Sequence, residues 1–286
     1  MAVDQPASQI AVSCVFDSDD ADIILLSKNP STEFHVHKVI LAAASPFFHD
    51  MFTLPQPSSP DTDDVKPVIP VTESCEVMTT LLRFVYPLPD PHLSSLDEFG
   101  PILDAAIKYD LQNVISTLRR FLCSFENLRT SPMQVYAIAC RFDLEEEAQT
   151  ASSHTLSFNI LDGPSDEDLK YISAWHYRRL LSLHHTRSKN AQEIIDPTNC
   201  PPEIKCMQCN SAFYTSHGQP KWYYDWEKQA KEELAVRPVS DVIFSMDFIA
   251  KATKASGCSR CSESVFQCWT WLEQMKQKMD ALPTTI

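Results

Sequence analysis

Apolar and polar positions in the first 125 residues follow two periods, which predict a small sheet followed by helices. The apolar run Asp22–Ser27 is typical of a buried strand, and Glu33–His37 alternates as a half-buried strand does. Apolar residues then recur every three or four positions through Lys38–Phe52, and Pro46 is expected to divide this stretch into two helices. Val68–Val71 predicts one more short strand.

The remainder of the chain has mainly helical periodicity, and Ile10–Phe16 predicts a short edge strand near the start. The predicted helices are Cys75–Tyr86, Leu96–Tyr109, Leu111–Phe125, Pro132–Cys140, Leu144–Leu156, Glu167–His185, Asp225–Leu234, Val239–Ala255 and Ser262–Leu282. We therefore expect an α+β fold, in which a small β-sheet is flanked by a helix cluster and followed by a mainly helical C-terminal region.

Composition narrows the functional classes. The 286 residues carry a net charge of -14, which argues against a nucleic-acid surface because phosphate contacts need clustered Lys and Arg. The four glycines lie far apart, so a phosphate-binding glycine loop and a nucleophile elbow are excluded. A signal peptide and a long apolar run are both missing, so we expect an intracellular, soluble protein in the cytoplasm or nucleus, with no membrane contact.

Several short motifs occur in the same order and at compatible spacing in a known family. They are Asp22–Leu26, His37–Leu41, Ser45–Phe48 with Met51 and Phe52, Leu81–Tyr86 and Ala105–Tyr109. In these motifs the first 125 residues or so resemble a BTB/POZ domain. The whole chain also resembles the fungal BTB proteins, which often have Tyr-Pro near the third helix, as at Tyr86-Pro87, and cysteines near the C-terminus.

The resemblance implies a domain organisation and a function. We expect a flexible N-terminus at 1–19, a BTB/POZ domain at 20–126, a helical BACK-like extension at 127–190 and a cysteine-rich region at 191–286. The implied function is non-enzymatic protein–protein interaction, as a scaffold or adaptor that could also be regulatory. Two competing hypotheses are a substrate adaptor of a Cullin-3 ubiquitin ligase and a zinc-dependent enzyme that uses the C-terminal cysteines.

Two departures from the family pattern bear on the partners. About twenty residues precede Asp22, so a full exchanged N-terminal arm is not expected and homodimerisation stays open. Family members that bind Cullin-3 typically carry an apolar-x-Glu motif after the Ser-x-x-Phe helix. No glutamate lies between Glu33 and Glu73 here, which weakens the Cullin-3 hypothesis.

Four of the ten cysteines form two CxxC pairs, Cys206 with Cys209 and Cys258 with Cys261. Two such turns can supply four thiolates to one tetrahedral Zn²⁺, and a reducing compartment disfavours disulfides. We therefore predict a structural zinc site at these four residues, with buried free thiols as the alternative. The residues that could replace a ligand are Cys200, Cys268, His184 and His185.

Catalytic motifs are not evident. His37 has no local nucleophile or carboxylate partner, so we expect it to close a strand–helix corner by hydrogen bonding. The chain contains neither the His-Glu-x-x-His of metalloproteases nor the His-x-Glu of zinc deaminases. The aromatic cluster Trp222–Trp226 is expected to pack around the cysteine-rich region.

Overall fold

The computed structural model describes residues 11–28, 31–54, 66–162, 169–170, 172–199, 204–210 and 218–286. The chain divides into two compact units, Met1–Leu122 and Cys123–Ile286, which we call the N-terminal and C-terminal units. Within the described ranges, no helix is long and apolar enough to cross a membrane.

The N-terminal unit contains a four-stranded mixed sheet. Its strands are β1 (Ala11–Asp17), β2 (Ile23–Lys28), β3 (Ser31–Val36) and β4 (Val68–Pro70), in the order β1-β3-β2-β4. β2 and β3 are antiparallel, whereas β1 pairs with β3 and β4 pairs with β2 in parallel. The apolar side chains Ile23, Leu25, Phe34 and Val36 are almost completely buried, so the predicted strand pattern identified the core face correctly.

Helices cover this sheet. They are α1 (Lys38–Ala44), α2 (Pro46–Thr53), α3 (Cys75–Val85), α4 (Phe99–Lys108) and α5 (Gln112–Leu122). The break predicted at Pro46 is confirmed, because Ser45 separates α1 from α2 and its hydroxyl oxygen accepts the N–H of Phe48 at 3.0 Å. The same hydroxyl donates to the carbonyl oxygen of Tyr109 at 2.6 Å, which ties α2 to the end of α4.

The C-terminal unit is helical throughout its described residues. Its helices are α6 (Phe125–Thr130), α7 (Pro132–Arg141), α8 (Glu145–Thr155), α9 (Ala174–Ile194), α10 (Lys221–Val236), α11 (Ser240–Ile243), α12 (Met246–Ala255), α13 (Cys261–Gln267) and α14 (Trp269–Asp280). A 3₁₀ turn lies at Pro197–Asn199. The small sheet followed by helices confirms the predicted α+β class.

The predicted helix Glu167–His185 had the wrong limits. Ser173 has an extended backbone and caps α9, so the helix begins at Ala174 rather than at Glu167. It runs on to Ile194, because Arg187 and Ala191 continue the buried stripe beyond His185. The predicted capping box at Ser165 lies outside the described residues.

Two other predicted helices are each divided in the structure. Ser245 caps α12 by accepting the N–H of Phe248 at 3.2 Å, which separates α12 from α11. Cys268 separates α13 from α14. Periodicity did not reveal these breaks because the apolar positions on both sides face the same core.

Candidate functional site

The four cysteines of the two CxxC pairs meet at one place in the C-terminal unit. Their sulfur atoms all lie within 4.8 Å of one another. The Sγ atoms of Cys206 and Cys258 are 3.6 Å apart, and those of Cys209 and Cys261 are 3.7 Å apart. Each of these two short distances therefore joins a cysteine of the first turn to one of the second, although 48 residues separate the turns.

The arrangement fits a tetrahedral metal ion. Four thiolates at about 2.3 Å from Zn²⁺ are about 3.8 Å from one another in a regular tetrahedron. The two cross-turn distances match that value within 0.2 Å. Cys206 and Cys261 are fully buried and Cys209 nearly so, whereas Cys258 is partly exposed. Four sulfur ligands with this spacing suit zinc or iron rather than magnesium or calcium.

Local hydrogen bonds hold the first turn. The Asn210 side chain accepts the N–H of Cys206 and donates to the carbonyl oxygen of Ile204 at 3.3 Å. Gln208 accepts the hydroxyl of Ser259 at 2.9 Å, which links the first turn to the second. Gly257 has φ +65, a left-handed conformation that directs the chain into the second turn. The sequence did not single out Asn210, although a small polar residue directly after a CxxC is a readable signal.

Helix α10 begins beside the sulfur atoms. The N–H of Lys221, its first residue, donates to the Cys209 sulfur at 3.4 Å. The positive end of a helix favours negative charge, so this placement supports thiolate at the cluster. A donor that bonds to a metal ligand in this way also fixes the orientation of the ligand and tunes its basicity.

Burial and hydrogen bonding set the thiol pKa values in opposite directions. Burial raises the pKa of Cys261 to about 12 and also raises the pKa of Cys209. Burial opposes ionisation of Cys206 as well, but the N–H groups of Gln208 and Cys209 outweigh it and lower the pKa of Cys206. A dication would compensate the negative charges of the thiolates, and its binding would release protons from the remaining thiols.

The residues considered as replacement ligands lie elsewhere. The Cys268 thiol is buried and donates to the carbonyl oxygen of Val265 at 3.3 Å. His184 and His185 lie inside α9, not at its end as predicted, and neither belongs to the cysteine cluster. Cys200 lies outside the described residues. The ligand set Cys206, Cys209, Cys258 and Cys261 stays a prediction, with the geometry in its favour.

Aromatic side chains of α10 form the core next to the cluster. Trp222, Tyr223 and Trp226 are fully buried, in the same apolar cluster as the cysteines. The Tyr223 hydroxyl donates to the carbonyl oxygen of Ile195, and the Trp226 indole donates to that of Ile243, both at 2.8 Å. These three rings therefore pack inside the unit, as the sequence predicted, and are not available as a stacking platform for a ligand.

His184 is a buried neutral histidine. The Thr155 hydroxyl donates to the carbonyl oxygen of Ser152 at 2.6 Å, so its oxygen accepts a proton from His184 Nε2 at 3.0 Å. That assignment places the hydrogen on Nε2 and leaves Nδ1 as a buried atom without a partner in the described part of the chain. Burial lowers the pKa of His184 to about 4.

We expect His184 to make the C-terminal unit sensitive to acid. Because its pKa is about 4 in the folded chain and about 6.5 unfolded, its contribution is complete above pH 6.5 and is lost as pH falls towards 4. Between pH 7 and pH 4.5 the wild type should lose about 2 kcal/mol more unfolding free energy than His184→Gln. Denaturant titrations at the two pH values measure this, with His185→Gln as the control. Equal pH dependence in the wild type and His184→Gln would contradict the assignment.

The N-terminal unit has exposed apolar side chains. Val39 on α1 is 73% exposed, and Phe47 on α2 is 42% exposed. On β1, which lies at an edge of the sheet, Val12 and Val15 are about half exposed. Exposed apolar residues and a free strand edge are features through which proteins associate.

His37 has the structural role that the sequence predicted. Its backbone N–H donates to the Tyr86 hydroxyl at 2.8 Å, and its ring nitrogen Nδ1 lies 3.2 Å from the same oxygen. Its Nε2 lies 3.2 Å from a carboxylate oxygen of Asp20. These contacts close the corner between β3 and α1.

Comparison with known proteins assigns the N-terminal part. Residues 15–126 match the family model of the BTB/POZ domain. No curated protein matches the chain. The match covers β2 to β4, the end of β1 and the helices α1 to α5, and it supports the resemblance seen in the motifs. BTB/POZ domains are protein–protein interaction modules that also mediate dimerisation.

Proposed function

We propose that this chain, which carries a BTB/POZ domain at residues 15–126, is a non-enzymatic scaffold or adaptor protein. The observation that carries the proposal is the family match over the N-terminal unit. In this proposal the N-terminal unit binds a protein partner or a second copy, and the C-terminal unit selects a different protein. The predicted boundaries at residues 20, 127 and 191, and the kinship with fungal BTB proteins, belong to the proposal.

A structural zinc ion in the C-terminal unit is the second part of the proposal. Its support is chemical and geometric: four cysteine sulfurs at tetrahedral spacing, with a helix N-terminus beside them. When bound, zinc would supply a cross-link between the turn at 206–209 and the turn at 258–261. Cys206, Cys209, Cys258 and Cys261 would hold it.

The same geometry disfavours the zinc-enzyme hypothesis. A catalytic zinc keeps one position open for water or substrate, whereas four thiolates would fill the tetrahedron. A catalytic site also needs a general base within hydrogen-bond reach. We therefore favour a structural role for the cluster and an interaction role for the chain.

Affinity purification with identification of the bound proteins tests the interaction role. We expect Val39→Glu to remove partners that bind the N-terminal unit, because it places a charge on the most exposed apolar side chain described in that unit. Val236→Glu in the C-terminal unit is the matched control, since Val236 is also apolar and 41% exposed. The same set of partners from the wild type and Val39→Glu would contradict binding through this surface.

Light scattering and purified Cullin-3 separate the modes of interaction. A mass of twice the 32.4 kDa chain that Val39→Glu reduces would support a homodimer. Direct binding of Cullin-3 would establish the ligase-adaptor hypothesis. A chain that stays at one chain mass and binds Cullin-3 weakly or not at all would leave the scaffold with different partners as the proposal.

A further inference from the structure

The C-terminal unit contains a cavity of about 440 Å³ beside α9, within the size range of ligand-binding clefts. One wall is the indole of Trp175, and the others include Leu183 and Ile286. Among the described residues, the charged side chains that line it are Arg178 and Arg179, and no Asp or Glu does so. In a chain with net charge -14, a cavity lined by two arginines favours an anionic ligand.

Trp175 is a large exposed aromatic residue held in a fixed place. Its side chain is 61% exposed, and the Arg179 guanidinium lies 4.6 Å from its ring centroid. Glu145 holds Arg179 by two hydrogen bonds of 2.6 and 3.0 Å. The pair stays ionised over the physiological range, because Arg179 lowers the pKa of Glu145 to about 2. A preorganised Trp–Arg pair is typical of residues that dominate binding energy at interfaces.

Arg178 supplies a positive charge without a partner among the described residues. It is exposed, and no Asp or Glu of the described ranges forms an ion pair with it. Arg179 differs, because its charge is already balanced by Glu145. A ligand carboxylate can therefore reach Arg178 without displacing a described acidic side chain of this protein.

A second cavity indicates how long the ligand is. It has a volume of about 250 Å³ and shares Trp175 as a wall with the first. Its lining includes Leu144 and Ala148, together with the acceptors Asp143 and Glu145. An occupant that fills both cavities must cross the indole, and an extended peptide does so with one side chain in each cavity and backbone N–H groups near the acceptors.

We propose that the two cavities around Trp175 bind an acidic peptide segment of a partner protein. One aliphatic side chain packs against Trp175 and Leu183, and a neighbouring carboxylate pairs with Arg178. The cavities lie in the C-terminal unit, so the proposal goes beyond the BTB/POZ interaction. A nucleic acid also suits Trp and Arg, but its many phosphates would meet the repulsion of the acidic chain, whereas a peptide needs one local pair.

Fluorescence polarisation with the full chain tests this proposal. The probes are a labelled library of dodecapeptides that each carry Asp or Glu beside an aliphatic residue, the same library with Lys in place of the acids, and single-stranded DNA of equal length. We expect members of the acidic library to bind, and more weakly as salt rises. Trp175→Ala and Arg178→Glu should each lower their affinity about tenfold or more.

Matched variants and competitors decide the outcome. Phe266→Ala and Arg260→Glu remove an exposed aromatic ring and reverse an exposed charge elsewhere in the same unit, and should bind as the wild type does. Arg178 is exposed, so Arg178→Glu tests binding without loss of folding, which thermal melting checks. The proposal is overturned if the acidic library does not bind, if Trp175→Ala and Arg178→Glu both bind normally, or if the Lys library, DNA or free citrate binds as tightly. None of these outcomes depends on self-association or partner capture by the N-terminal unit.

Discussion

Cys206→Ser is expected to abolish zinc binding and to destabilise the C-terminal unit. The wild type should contain one zinc per chain and the variant close to none, because three thiolates and a hydroxyl bind Zn²⁺ poorly. The loss should be about 4 kcal/mol of unfolding free energy when free zinc is about a thousandfold above its Kd. The cysteines belong to the same buried cluster as Trp222 and Trp226, so loosening their turns exposes the core of the unit.

Elemental analysis and denaturant unfolding measure this prediction. Cys268→Ser is the matched control, because Cys268 is buried in the same core but lies outside the four-sulfur group. The control should keep its zinc, and a chelator should destabilise the wild type and Cys268→Ser but leave Cys206→Ser unchanged. Near-zero zinc in all three proteins would refute the site, and iron in place of zinc would correct the identity of the metal.

Arg187→Met is expected to cost about 3–5 kcal/mol of unfolding free energy. Arg187 is 5% exposed, and its guanidinium donates to four backbone carbonyl oxygens rather than to a carboxylate. These are Pro238 at 2.8 Å, Leu282 at 2.6 Å, Pro283 at 3.0 Å and Met279 at 3.2 Å. Methionine keeps the apolar stem but leaves all four acceptors without this donor, and each unsatisfied buried group costs about 1 kcal/mol or more.

Urea titration of Arg187→Met and Arg178→Met measures the effect. Both residues lie on α9, but Arg178 is exposed and should change the unfolding free energy by less than about 0.5 kcal/mol. The effect of Arg187→Met should also persist at high salt, because buried hydrogen bonds are screened less than surface ion pairs. Similar stabilities for the two variants would show that solvent or other donors satisfy the four carbonyls.

Local sequence patterns predicted most elements of the N-terminal unit. Alternation and helical periodicity report burial directly, so the strand Ile23–Lys28 and the broken helix at Pro46 were readable without a structure. The C-terminal unit was harder. The end of α9 was placed at His185, because a pair of histidines resembles a helix terminus and the buried residues beyond it are few. Sites that depend on one exposed residue, such as Trp175, had no periodic signal at all.

The sequence by itself determined the α+β class, the BTB/POZ motifs and the two CxxC turns, since each depends on neighbours within a few residues along the chain. Tertiary structure decided what lies together. It brought the two turns to tetrahedral spacing across 48 residues, buried Arg187 against four distant carbonyls, and left Trp175 exposed between two cavities. The physical reason is that local propensity and periodicity specify which face of an element is buried, whereas contacts between distant elements depend on how the helices pack.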